Sequence, residues 1–139
     1  MTADFMYDFL ASHKLAVISS ISKENVPQSA LIGFAVAADL RIIFDTVTDS
    51  RKYQNLIANP NASLVIGWKD EKTVQFEGKA YIPEGTDLEE LKKVYYHAYP
   101  DGWDRAAKWP NLTYFCVKPV WIRYSDFNTD PPQIVEMTF

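Results

Sequence analysis

Between Leu15 and Thr46, three strand-length runs of apolar and β-branched residues follow one another with connections too short to hold a crossover helix. Leu15–Ile21 stops at Ser22-Lys23-Glu24-Asn25, a polar turn ahead of Pro27; the next run covers about Gln28–Val36, and Ala37-Ala38-Asp39 turns the chain into Leu40–Thr46. A parallel pair needs a connection of a dozen or more residues, so this spacing predicts an antiparallel meander. Further on, Asn61–Trp68 and Thr73–Ile82 read as two strands joined by the charged tip Lys69-Asp70-Glu71-Lys72. Leu112–Val117 and Val120–Tyr124 supply the last strand material, interrupted at Pro119, a residue that sheets tolerate at an edge or a bulge.

Helical spacing lies around these strands. Phe5, Met6, Phe9 and Leu10 form one apolar face, with Thr2 as the N-cap. A second helix starts near Ser50 with Asp49 as its cap, carries Tyr53, Leu56 and Ile57 on one face, and ends at Asn59-Pro60. Thr86-Asp87-Leu88-Glu89 matches a capping box ahead of the stripe Leu88, Leu91, Val94, Tyr95 and Ala98, and Tyr99-Pro100-Asp101-Gly102 closes that helix. Trp103–Asn111 reads as irregular or briefly helical. About six strands with two or three helices, without strand–helix alternation, predict a mainly β fold: one domain over residues 1–139, a small antiparallel barrel with peripheral helices.

Charge and side-chain chemistry narrow the function. Fourteen basic against eighteen acidic residues give a net charge of −4 with the cations scattered, which predicts no nucleic-acid surface. Cys116 is the one cysteine, and His13 and His97 stand far apart, so neither an internal disulfide nor a metal site is expected. Cys116 reads as a buried small hydrophobe. Apolar runs such as Ala30–Ala38 are too short for a membrane helix, and the N-terminus lacks a basic leader, which predicts a cytoplasmic protein with no membrane partner.

One feature runs against expectation. The helix near Ser50 begins with Arg51 and Lys52, although a helix N-terminus already carries partial positive charge. Either the two cations pair with Asp45 or Asp49 at the surface, or an anion belongs there, held by free backbone N–H groups, Ser50, Arg51 and Lys52. A phosphate would suit such a site whether it belongs to a nucleotide, a cofactor or a substrate.

Phe44-Asp45-Thr46-Val47-Thr48-Asp49-Ser50-Arg51-Lys52, followed by Asn59-Pro60, Ser63-Leu64, Trp68 and Glu77-Gly78-Lys79-Ala80, resembles the pyridoxamine 5′-phosphate oxidase-like family of FMN-binding proteins. The resemblance runs from about Leu15 to Ile82 and weakens after Pro83. It implies a six-stranded antiparallel split β-barrel with Greek-key connections, and a homodimer with FMN at the subunit interface. Arg51 and Lys52 would hold the FMN phosphate, with Ser50, Thr46 and Asp45 beside them. Gln28, Ser29, Ala30 and Leu31 match the family strand that runs along the flavin, here without the arginine common in it. Thr73 stands where the family places a flavin-contacting glutamine, and Gln75 lies two residues on, on the same face. Trp68 would wall the pocket, and Trp121 and Arg123 match positions that reach the partner subunit's flavin. Each of these is also explained by ordinary barrel surface, including a Trp121–Arg123 stack with no ligand.

In place of the Arg-Leu-His-Asp-Arg type segment that grips the phosphate of a vitamin B6 substrate, this chain has Asn128-Thr129-Asp130-Pro131-Pro132-Gln133, which disfavours B6 oxidation. The resemblance then points to the short stress-related flavoproteins and flavin reductases. It implies an FMN-dependent oxidoreductase working with a small-molecule electron donor and acceptor. Two alternatives stand beside it: a flavin-binding or sensing module without turnover, and a split barrel that binds haem or a deazaflavin.

Overall fold

In a computed structural model describing residues 3–139, β1 (Leu15–Ile21) and β2 (Pro27–Gly33) form the expected hairpin, its turn closed at Asn25, which takes a positive φ of 62°. The meander ends there. The run expected to continue to Val36 breaks after Gly33, and the short β3 (Ala35–Val36) pairs with β4 (Ile42–Val47) at the other end of the sheet. At the break Phe34 N–H donates to Lys14 O at 3.2 Å, and Gly33 is packed so closely that a Cβ there would lie 2.8 Å from Tyr99 Oη.

The rest of the chain is α1 (Ala3–Ala11), α2 (Arg51–Ala58), β5 (Asn61–Ile66), β6 (Lys72–Tyr81), α3 (Gly85–Ala98), α4 (Gly102–Lys108), β7 (Leu112–Asp126) and β8 (Gln133–Thr138). All pairings are antiparallel, in the order β2-β1-β5-β6-β7-β4-β3. The mainly β barrel with peripheral helices is therefore present, with eight strands and four helices among the described residues. Thr2, the expected cap of α1, lies outside the described residues.

β7 runs through Pro119 without stopping. Glu77 pairs with Trp121 while Gly78 pairs with Pro119, so Val120 is the extra residue of a bulge that spares proline a ladder bond. Gly78 is required there, since a Cβ would sit 2.4 Å from Lys118 O. One edge of β7 pairs with β6; the other pairs first with β4 and then with β8, a strand not foreseen in the sequence.

Two apolar clusters result. The first fills the curl of the sheet with Ile18, Phe34, Phe44, Leu64, Phe76, Phe115 and Ile122, capped by Met6 and Leu10 of α1. The second lies under α3, where Leu91, Tyr95 and Tyr96 cover Ile43, Tyr114 and Cys116. β4 and β7 have residues in both, so the period-2 alternation of their side chains divides the layers. The capping box expected at Thr86–Glu89 does not form, because α3 starts at Gly85 and no side chain caps it. Asp87 instead accepts hydrogen bonds from Arg41 Nη1 at 2.8 Å and Tyr81 Oη at 2.9 Å, which joins α3 to the sheet. Among the described residues no helix is long and apolar enough to cross a membrane.

Candidate functional site

β4 ends on its inner face with Thr46, and the chain turns directly into α2. The cap is Ser50 and not Asp49. Ser50 has the extended backbone of an N-cap, its Oγ accepts from Tyr53 N–H at 3.2 Å, and Thr46 Oγ1 lies 2.9 Å from the same oxygen. The start is thus one residue later than expected, with Arg51 and Lys52 as its first two helical residues and no acid in the first turn.

Arg51 is exposed and Lys52 half-buried, and among the described residues neither makes an ion pair or a side-chain hydrogen bond. Burial lowers the Lys52 pKa, and the charge of Asp45 offsets part of that effect. Asp45 does not pair with either cation. It sits on the opposite face of β4 from Thr46, 3.1 Å from Arg105, which also binds Asp101 at 2.8 Å and Tyr95 Oη at 3.1 Å.

Arg51 and Lys52 line a cavity of about 160 Å³ with Gln28, Ser29 and Ala30 of β2. Its remaining wall was not singled out in the sequence. Asn55, one turn after Arg51 and 7% exposed, donates from Nδ2 to Ser20 Oγ at 3.0 Å and to Gln28 Oε1 at 2.9 Å, tying α2 to the β1–β2 hairpin. The i,i+4 spacing from Arg51 was visible, but only the register Ser20↔Gln28 explains why an asparagine is needed.

The other candidates lie elsewhere on the subunit. Leu31, Gln75 and Arg123 fall in one row across the outer face, through the pairings Leu31↔Val17↔Val65↔Gln75↔Arg123. Thr73 and Trp121 belong to the same face, each two residues from a member of that row. Ser29 is exposed beside Ser19, with their Oγ atoms 2.8 Å apart. Arg123 stacks over the Trp121 ring at 5.6 Å and donates to Glu136 of β8 from Nε at 2.7 Å. Trp68, 54% exposed, is near Leu15 and His13, at the opposite end of β1 from Ser20. Cys116 is fully buried, and burial pushes its thiol up to about 11, so it is no nucleophile at neutral pH.

A curled antiparallel sheet with a plugged interior, an edge hairpin and a helix start carrying two unpaired cations define a split β-barrel protein. The family model for pyridoxamine 5′-phosphate oxidase matches residues 3–126, and the chain belongs to that family. No curated protein matches it. Among solved structures it is similar to the heme binding protein from Mycobacterium smegmatis, with a TM-score of 0.82 and 14% identity over 99% of this chain and 58% of that one. It also resembles General Stress Protein 26 from Bacillus anthracis, with a TM-score of 0.71 and 22% identity over 97% and 98% of the two chains. A pyridoxamine 5′-phosphate oxidase-related, FMN binding protein from Nostoc punctiforme gives a TM-score of 0.68 and 12% identity over 99% and 92%. At these identities the likeness is one of fold, and the chain spans little more than half the length of the first.

Proposed function

We propose that the protein binds FMN, with the phosphate in the cavity between α2 and β2, and that it serves as an FMN-dependent oxidoreductase. The observation that carries this reading is the half-buried, unpaired Lys52 beside the unpaired Arg51 at the start of a helix. Burying a cation without a partner is costly, and a phosphate offsets that cost with charge-assisted bonds. Arg51 supplies a planar fork, Lys52 a point charge and the first turn of α2 its backbone N–H groups. Bound there, FMN would supply hydride or electron transfer. Ala30, with its small side chain, lets a flat ring approach β2.

Leu31, Thr73, Gln75 and Trp121 lie on the outer face, away from the phosphate cavity of the same subunit. Their use in a cofactor site calls for a second copy packed on that face, so the proposal includes a homodimer with two shared sites. Arg123 is the weakest of the set, since Glu136 and Trp121 already engage it. Vitamin B6 oxidation is not proposed: Asn128–Gln133 holds no cation for a substrate phosphate and leads into β8.

The test is the absorbance spectrum of freshly purified protein, followed by FMN titration and anaerobic addition of NADH or NADPH. Flavin bands with reduction by a nicotinamide donor support the full reading. Flavin bands without reduction by NADH or NADPH favour a flavin-binding module, and a Soret band in their place rejects FMN in favour of haem.

A further inference from the structure

The network behind the two cations determines which atoms face the cavity. Asn55 is on the buried side of α2, and its Nδ2 spends both protons, one on Ser20 Oγ and one on Gln28 Oε1. Each recipient has then used an acceptor on Asn55. Ser20 keeps its O–H proton, and Gln28 keeps the two protons of Nε2; neither group donates to any side chain or backbone atom among the described residues. Ser20 and Gln28 both line the cavity that Arg51 and Lys52 line, and Ser20 is only 3% exposed. A cross-strand pair that could present oxygen or hydrogen to a ligand is thereby held with its hydrogens available.

We propose that Asn55 is a positioning residue that sets the hydrogen-bond polarity of this cavity, turning Ser20 and Gln28 into donors that, beside Arg51 and Lys52, favour an acceptor-rich anion such as a phosphate. The proposal rests on the FMN reading for the identity of the ligand, and on the geometry alone for its charge. Gln28 then takes over, as a neutral donor held by Asn55, part of what an arginine on this strand would do. Without Asn55, the Gln28 amide rotates freely and offers Oε1 to the anion as readily as Nε2, and part of the binding energy goes into ordering it.

The experiment compares wild type, Asn55→Leu, Gln28→Leu, and Ser20→Ala/Gln28→Leu with and without Asn55→Leu. FMN, riboflavin and inorganic phosphate are the probes, the last followed through the NMR signals of the Gln28 side-chain amide. Asn55→Leu is expected to weaken FMN about tenfold, the scale of one hydrogen bond to a charged group, while riboflavin, which lacks the phosphate, changes less than about twofold. In the Ser20→Ala/Gln28→Leu background the same substitution should have no further effect on FMN, because the residues through which Asn55 acts are gone. Should Asn55→Leu fail to fold, Gln28→Leu, on a half-exposed site, must show the FMN-selective loss by itself. Equal weakening of FMN and riboflavin, or an undiminished effect of Asn55→Leu in the double-variant background, overturns the assignment. If FMN does not bind but phosphate shifts the Gln28 amide in wild type and not in Asn55→Leu, the cofactor reading fails and the Asn55 assignment stands. If phosphate does not move that amide and FMN does not bind, both fall.

Discussion

Arg41 and Arg105 on one side of the molecule, and Arg51 and Lys52 on the other, are cations of the same chain put to opposite uses. Arg41 meets Asp39 at 2.9 Å and Asp87 at 2.8 Å and donates to Tyr81 Oη at 2.6 Å; Arg105 meets Asp45, Asp101 and Tyr95 Oη. Both link α3 or α4 to the sheet, and both come with their own carboxylates. The cations of α2 come with none, although the chain has more acids than bases. Arg41 and Arg105 serve the fold with counter-charges that the chain supplies, and in the proposed FMN site the phosphate would supply the one for Arg51 and Lys52.

Separating stability from binding tests that contrast, and the largest effect belongs to binding. Arg51→Ala should weaken FMN by roughly 10- to 100-fold, Lys52→Ala by less because an ammonium lacks the two-pronged geometry, and neither should lower the melting temperature. Titration by flavin fluorescence with a parallel melt checks both; unchanged affinity in the two variants removes the phosphate assignment. Arg105→Ala should do the reverse. It leaves Asp45, whose side chain is 13% exposed, without its partner, at a cost of about 2 kcal/mol in urea unfolding.

Arg41→Ala should cost less, about 1 kcal/mol, since its side chain is 23% and that of Asp87 38% exposed. The Arg41 guanidinium holds the Asp87 carboxyl below its ordinary value of 3.8. A depressed carboxylate contributes stability above that value and loses it as pH falls through the folded pKa. Unfolding curves between pH 7 and pH 3 should therefore fall less steeply toward acid in Arg41→Ala than in wild type. The smallest effect is expected at Arg123, whose ion pair with Glu136 is open to solvent: Arg123→Ala should leave stability unchanged in high salt. A large loss of FMN in that variant would show Arg123 at the cofactor, against its engagement by β8.

How much of this was legible depended on whether a residue acts through near neighbours or across the sheet. The hairpin β1–β2, the helix face of Tyr53 and Leu56 and the cations of α2 follow from periodicity and local charge. The shift of the cap from Asp49 to Ser50 does not, because it depends on Thr46 reaching the Ser50 hydroxyl from the preceding strand. Asn55 was invisible for the same reason: its partners are 35 and 27 residues away. Gly33, where the run breaks, is packed against Tyr99 at the end of α3, 66 residues away, and β8 covers an edge of the second half of β7 that would otherwise be bare. The resemblance led to Gln28–Leu31, Thr73, Gln75, Trp121 and Arg123, but not to their division between the inner cavity and the outer face.

The Asp45–Arg105 pair has one more consequence, for how the strands find each other during folding. β4 is apolar on both sides, and Phe44 pairs with Phe115 while Asp45 pairs with Tyr114. Two such greasy ribbons have little in their shape to forbid a slip of one residue. Asp45 opposes it: a slip of one residue would turn the carboxylate to the face of Phe44, beside Phe115, away from Arg105 and without a counter-charge. A single acid thus acts as a proofreading mark on the alignment that brings Thr46, and with it the start of α2, to its place.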